Sequence, residues 1–310
     1  MKKKRIKILI ILVLLLLTTG CTEQLKDSKN KPVKNEETGQ TLTENILCRP
    51  TNKETIEIYE KYKVKLDKLP ECKDFKVNSG KYEGLWTTFF VKPLAFILLK
   101  LGEVVKNYGI SVIIVSLIIR IIAFPLTKKT AMQSEIMKKA QPELNKIQKK
   151  YKNKTDQESV MKQNQEMMAV YKKYGINPMA GCIFALIQLP IFMAFFEALQ
   201  RVPVIFEDMF LGLQLGTTPA VGITTSTFYS YIILMIIIAA STFFTFKMTM
   251  ANNPTDDPTM KMMPIMMCGM IVITAIFMPS GLGIYWVTSN LFSIVQNILV
   301  KRSREINGKA

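Results

Sequence analysis

Residues 110–126 read ISVIIVSLIIRIIAFPL: seventeen residues with a single charge, Arg120. At about 1.5 Å of rise per residue such a helix covers about 25 Å, most of a bilayer core of ~30 Å if it tilts. The stretch therefore reads as a membrane span. Arg120 then needs an explanation, because a charge near mid-span costs about 2.5–3.5 kcal/mol on insertion scales. Either it faces the bundle interior or a water-filled cavity, or its guanidinium snorkels to the inner interface roughly ten ångströms away.

Four more apolar stretches follow at Met179–Leu199, Phe228–Phe246, Met262–Met278 and Leu282–Val300. Met278-Pro279-Ser280-Gly281 is a tight turn that makes the last two a helical hairpin. The segment from Lys128 to Tyr174 holds 12 Lys and 5 acidic residues, a net +7. Residues 201–227 come to −1, residues 247–261 are neutral, and the tail after Val300 is +3. Positive loops remain in the cytoplasm, so the 128–174 segment and the tail both lie inside. Five spans require that agreement and place the start of the bundle outside.

The N-terminus points the same way. Lys2, Lys3, Lys4, Arg5 and Lys7 precede a ten-residue apolar run, Ile8 to Leu17, too short to span and suited to a signal peptide over 1–20. Thr18-Thr19-Gly20-Cys21 resembles a bacterial lipobox, with Cys21 as the acylated residue, though Thr18 stands where an aliphatic side chain is usual. Residues 21–83 then form a polar, extracytoplasmic, lipid-anchored leader. Its part from Thr22 to Gly39 has the composition of a disordered tether, and Glu54 to Leu66 that of a short helix. Cys48 and Cys72 lie in it, either disulfide-bonded or as two thiols. Residues 84–106 place Trp86, Phe90, Leu94, Ile97, Leu101 and Val104 on one stripe, interrupted by Lys92, Lys100 and Glu103, which reads as an amphipathic helix lying at the interface.

Composition sets outer limits. Of 310 residues 49% are hydrophobic and mean hydropathy is +0.19, yet the formal charge is +17. The basic excess suits anionic lipid or RNA as partners. There is no histidine, and the five cysteines show no CxxC spacing, so neither a metal centre nor a cofactor is expected. No GxxxxGK[ST] motif occurs. Without histidine or a mid-span acid, a hydrolytic centre has few candidates, and the chain is read as a non-enzyme. Residues 128–174 are rich in helix formers; Asn153-Lys154-Thr155-Asp156 breaks them into a cytoplasmic hairpin, with Thr155 or Asp156 capping the second helix. Its lysines are either a solvated face or a docking surface for lipid headgroups, RNA or incoming chains.

Several polar side chains share the membrane with Arg120. Gln188 sits before Leu189-Pro190 in span two, while Trp286, Asn290, Ser293 and Asn297, spaced by 4, 3 and 4, share one face of span five, with Thr288 and Gln296 nearby. They either line a polar path or bond between helices. No acidic residue lies at the depth of Arg120; Glu197 falls near the outer end of span two. Span four carries Met262, Met263, Met266, Met267, Met270 and Met278, an adaptable apolar surface or plain filler.

Taken in order, Asn107-Tyr108-Gly109-Ile110, Ile119-Arg120, Phe124-Pro125-Leu126-Thr127, Gln141-Pro142-Glu143-Leu144, Tyr174-Gly175-Ile176-Asn177-Pro178, Gln188-Leu189-Pro190 and Pro279-Ser280-Gly281-Leu282 with Tyr285-Trp286 and Asn290 resemble the signature blocks of YidC/Oxa-family insertases, from about Trp86 to Val300. The lipoprotein leader and short tail resemble the Gram-positive branch. The resemblance implies an all-α membrane protein: a five-span helix bundle with a cytoplasmic hairpin. It also implies a hydrophilic groove, open to cytoplasm and lipid, lined by Arg120, Gln188, Trp286, Asn290, Ser293 and Asn297. Nascent membrane proteins are the implied clients, served by a monomer acting alone or with the Sec translocon. The long basic tail by which some relatives contact ribosomes is missing, so ribosome contact is expected to be weak. A small-molecule or ion transporter is the rival reading; it calls for inverted repeats and discontinuous helices, and neither is visible.

Overall fold

The structure is a computed structural model that describes residues 22–154, 156–177, 180–251 and 258–307. Residues 1–20, expected to be a signal peptide, Cys21, the expected site of acylation, Thr155 and Pro178-Met179 lie outside the described residues. Helix dominates. The elements are α1 (Lys53–Lys61), α2 (Lys92–Val105), α3 (Tyr108–Tyr151), α4 (Gln157–Lys173), α5 (Ala180–Arg201), α6 (Phe228–Ala251), α7 (Pro258–Ile276) and α8 (Ser280–Asn307). A two-stranded antiparallel ribbon, β1 (Met209–Phe210) and β2 (Leu213–Gln214), pairs between α5 and α6. Among the described residues, two helical stretches are long and apolar enough to cross a membrane, Tyr108–Pro125 and Phe228–Met248; Ile265–Ile276 is a shorter apolar one.

Helix α3 runs for 44 residues through both Pro125 and Pro142, so the span expected over 110–126 and the helix expected after 128 are one continuous element. Each proline removes one backbone donor, a loss that long helices packed among neighbours tolerate.

The chain divides into two compact units. One comprises residues 1–116, 188–236 and 274–286; the other comprises 117–187, 237–273 and 287–310. In the first, the leader is folded where composition suggested a tether. Leu25, Val33, Leu42 and Ile46 bury together with Tyr59 of α1 and Leu66. Short antiparallel bridges, Gln24 with Thr43, Lys26 with Pro32 and Lys34 with Thr41, hold the strand-like segments over this core. Cys48 and Cys72 form a disulfide across 24 residues, with their Cα atoms 4.9 Å apart. So few apolar residues make a small core, and such cores rely on staples. Asn52 caps α1, its side chain accepting from the Glu54 and Thr55 amides.

The leader is bonded to the rest of its unit. The Leu47 amide donates to the Arg201 carbonyl at 2.7 Å, and the Thr218 amide to the Thr38 carbonyl at 2.9 Å. One Glu207 oxygen accepts from the Thr51 hydroxyl at 2.8 Å and from the Thr51 and Asn52 amides at 3.2 Å. The turn before α8 joins the same assembly: the Ser280 hydroxyl donates to the Thr217 carbonyl at 2.7 Å, and the Gly281 amide to the Leu215 carbonyl at 2.8 Å.

Helix α2 and the turns before it, Gly84–Trp86 and Thr87–Val91, bury Trp86, Val91, Leu94, Ala95, Leu98 and Leu99. This is not the stripe drawn from the sequence. Phe90, Ile97 and Val104 of that stripe face outward, Val104 being 77% exposed, so the element is apolar on two sides. Gly102 sits under Tyr108, whose ring occupies the place a Cβ would take. Lys92 is buried; its ammonium donates to the Ser79 carbonyl at 2.6 Å and the Lys81 carbonyl at 3.0 Å. Burial pushes that ammonium below its usual pKa, with the nearby Glu83 pulling the other way.

In the second unit, the C-terminal part of α3 folds back on α4 as a helical hairpin. Ala140, Leu144, Val170 and Ile176 form its core, flanked by Ile136, Met137, Ile147, Met167, Tyr171 and Tyr174. Asp156 caps α4, accepting from the Ser159 amide at 2.8 Å. Gly175, at φ +64°, ends it in the left-handed conformation, and the Ile176 amide returns to the Tyr171 carbonyl at 2.8 Å. Ion pairs rim the core: Lys173 with Glu143 and Lys150 with Glu166, both at 2.6 Å. Hydrogen bonds from Lys173 and then Tyr174 hold Glu143 below the ordinary carboxylate pKa, and Lys150 and Tyr151 do the same for Glu166.

Candidate functional site

Arg120 lies in α3 at 9% exposure, in the second unit. The same unit gathers a row of polar side chains from three helices. From α8, the Asn290 amide donates to the Ser241 hydroxyl at 3.3 Å and to the Thr242 hydroxyl at 3.0 Å, both on α6. The Gln296 amide nitrogen donates to the Thr127 hydroxyl of α3 at 2.9 Å. Ser293 bonds back to the Ser289 carbonyl of its own helix at 2.9 Å. Ser289 itself is buried, and its hydroxyl has no hydrogen-bond partner among the described residues. Asn297 is half-buried one position beyond Gln296. Phe124 and Phe292 meet edge-to-face at 6.4 Å beside this row.

The i, i+3, i+7 spacing of Asn290, Ser293 and Asn297 explains why one helix offers them together. Each amide can both donate and accept, so such side chains satisfy one another in an apolar medium and also offer hydrogen bonds to a polar segment that enters. A guanidinium adds a fixed positive charge that attracts carboxylates most strongly of all.

Gln188 and Trp286 belong to the other unit. There the Gln188 amide donates to the Tyr285 hydroxyl at 2.8 Å. Phe192 packs edge-to-face on Trp286 at 5.7 Å, and Phe195 lies against the Tyr285 ring at 4.4 Å. The six residues expected to line a groove thus fall into two sets: Arg120, Asn290, Ser293 and Asn297 in one unit, Gln188 and Trp286 in the other.

Sequence reasoning passed over Ser241, Thr242 and Thr127 as site residues. The signal for the first two was available, since Ser241-Thr242 breaks the run from Tyr231 to Phe246. The sequence marks Glu197 only by its place near the outer end of span two and does not single out Arg201. Arg201 is wholly buried, paired with Glu83, and donates to the Asn45 carbonyl at 2.7 Å, while the Trp86 indole donates to Glu197 at 2.9 Å. Among the described residues no group of His, Cys, Asp and Glu could hold a metal ion.

Residues 100–307 match the family profile described as 60Kd inner membrane protein. The chain belongs to that family. The insertases it resembles include membrane protein insertase MisCA of Bacillus subtilis, 38% identical over 217 residues, which are 70% of this chain and 79% of that one. Membrane protein insertase YidC of Oceanobacillus iheyensis is 34% identical over 221 residues, 71% of this chain and 85% of that one. An active YidC insertase, whose crystal structure resolves its first transmembrane domain, superposes with a TM-score of 0.52 at 25% identity. That likeness covers 71% of this chain and 48% of the solved one, so this chain spans about half its length. The Gram-positive type of YidC insertase read from the sequence is the type these relatives represent. The family profile takes in α3 to α8 and begins after the leader.

Proposed function

We propose that this chain is a membrane protein insertase that receives the polar flank of a nascent membrane protein at Arg120 and releases its apolar segment to lipid. The single observation that carries the reading is the buried arginine in α3, in the same unit as the amide and hydroxyl row of α6 and α8. A charge held there shortens the dry path that an acidic client tail must cross. Burial of the client's apolar segment, at about 25 cal/mol per Å², supplies the free energy.

The topology we infer has five spans, with the leader outside and the hairpin and tail in the cytoplasm. It is supported by the division of the chain. The segments expected outside (21–83, 201–227 and the 279–281 turn) fall in one compact unit, and those expected inside (128–174, 247–261 and the tail) fall in the other. Residues 84–106 lie at the outer interface, and Cys21 carries the lipid. The protein acts as a monomer, alone or beside the Sec translocon, and makes weak ribosome contact.

The test is protease protection of a single-span client with an acidic N-terminal tail, translated with liposomes. Protection is expected with the unmodified protein, and not with empty liposomes or the Arg120→Ala form. Equal protection by both protein forms would remove Arg120 from the mechanism. No gain over empty liposomes, with or without added Sec translocon, would sink the insertase reading.

A further inference from the structure

The first unit holds a cleft of about 920 Å³ between the leader and the start of the 84–105 element. Four exposed lysines stand on its wall, Lys63, Lys65, Lys68 and Lys81, against the exposed Glu23 and Glu44. Glu83 also faces it, but that carboxylate is already paired with Arg201. Lys92 closes the base, its ammonium taken up by the Ser79 and Lys81 carbonyls. The uncommitted charges therefore leave the cleft positive.

Beside it, the element that supplies Thr87 and Lys92 to the cleft turns Leu85, Phe89 and Phe90 outward, with Phe89 at 67% exposure. Exposed aromatics beside a basic hollow make a two-part surface. One part suits a negative charge, the other hydrocarbon. An acidic peptide would use the lysines and leave the aromatics wet. A free anion would do likewise. We infer that this cleft binds the headgroup of an anionic glycerophospholipid, its phosphate among Lys65, Lys68 and Lys81 and its acyl chains along Leu85, Phe89 and Phe90. The inference rests on the interfacial placement of the 84–106 segment and is independent of insertase activity. A bound headgroup would tie the leader to the bilayer at a point other than Cys21.

The experiment uses the full chain reconstituted in phosphatidylcholine vesicles with a trace of phosphatidylglycerol bearing a photoreactive acyl chain. Label on residues 82–91 is read after proteolysis. Unlabelled phosphatidylglycerol should displace it at concentrations at least about tenfold below those of phosphatidylcholine, as expected for two or three lysines acting on one phosphate. The Lys65→Glu, Lys68→Glu, Lys81→Glu variant should lose this preference. Reversal of Lys26, Lys29 and Lys31, leader lysines outside the cleft, makes the same change in net charge and should keep it. Equal competition by the two lipids, or an unchanged preference in the cleft variant, overturns the site. Displacement by sn-glycerol 1-phosphate or by an acidic peptide as effective as by phosphatidylglycerol overturns the lipid assignment. A photoreactive phosphatidylcholine run in parallel reports whether residues 82–91 touch lipid at all; no label from either probe removes the premise along with the proposal.

Discussion

Arg201 ends α5 wholly buried, held by Glu83 and the Asn45 carbonyl, and so fastens α5 to the leader. Breaking a buried pair from one side costs about 3–5 kcal/mol, because the other charge is stranded. Glu83 keeps some exposure, which moves the expectation for Arg201→Met to about 2–3 kcal/mol. Adding Glu83→Gln should recover part of that loss, and thermal unfolding in detergent measures both; a double variant less stable than Arg201→Met would show that the pair is not what matters. Asn290 is a gentler case. Asn290→Ala leaves the Ser241 and Thr242 hydroxyls, and Ser241 already donates to the Ile238 carbonyl of its own helix at 3.2 Å. The expected loss in the same assay is about 0.6–1.7 kcal/mol. That difference explains what was legible. An arginine or an amide in an apolar run stands out in any register, so Arg120, Gln188 and Asn290 could be picked from sequence. Serine and threonine can bond back to their own backbone, so Thr127 passes as an ordinary helix residue, and Ser241-Thr242 shows only as a break in an apolar run.

The helical hairpin is legible as an element because its residues are good helix formers and Asp156 marks a cap; the structure closes it on one apolar core. Its rim makes it sensitive to acid. Glu143 and Glu166 have folded pKa values below the ordinary 4.5, so their support is complete above that value and is lost as pH falls through the lowered one. With Cys182 and Cys268 replaced by serine, nitroxides at Lys146 and Ala169 should give one sharp distance at pH 6 and a broadened one near pH 3, and Glu143→Gln with Glu166→Gln should flatten the change. A pH-independent distance in the parent would rule out the carboxylates as the rim that matters. Of the leader only the short helix was legible, expected over 54–66 and found as α1; its folded core was not. Its core residues, Leu25, Val33, Leu42 and Ile46, are diluted among charged residues, so local composition reads as tether. What compensates is long-range: the Cys48–Cys72 bond and the contacts to Glu207 and Thr218. Replacing both cysteines by serine should cost the leader about 3 kcal/mol and open it to protease at temperatures where the spans resist. A leader equally resistant without the bond would show that docking alone suffices.

At the scale of the whole molecule, two independent features divide the chain in the same way. In the proposed topology the +7 and +3 segments share one side of the bilayer, and the same segments fall in one compact unit while the leader falls in the other. The disulfide adds chemistry to this division, since such bonds persist in oxidising surroundings outside the cytoplasm and are rare within it. These features together predict a labelling pattern in intact cells. With Cys182 and Cys268 replaced by serine, a membrane-impermeant maleimide should leave Cys48 and Cys72 unlabelled until an impermeant reductant is added. A cysteine placed in the tail, Ser303→Cys, should react only after the membrane is permeabilised. Exposure of both sites in intact cells would mean an even number of spans. One of the long helices from α5 to α8 would then lie in the interface, and the positive tail would stand outside against its charge. Exposure of the tail alone would invert the molecule and place a disulfide in a reducing compartment, where the bond should be absent from protein isolated under thiol-trapping conditions.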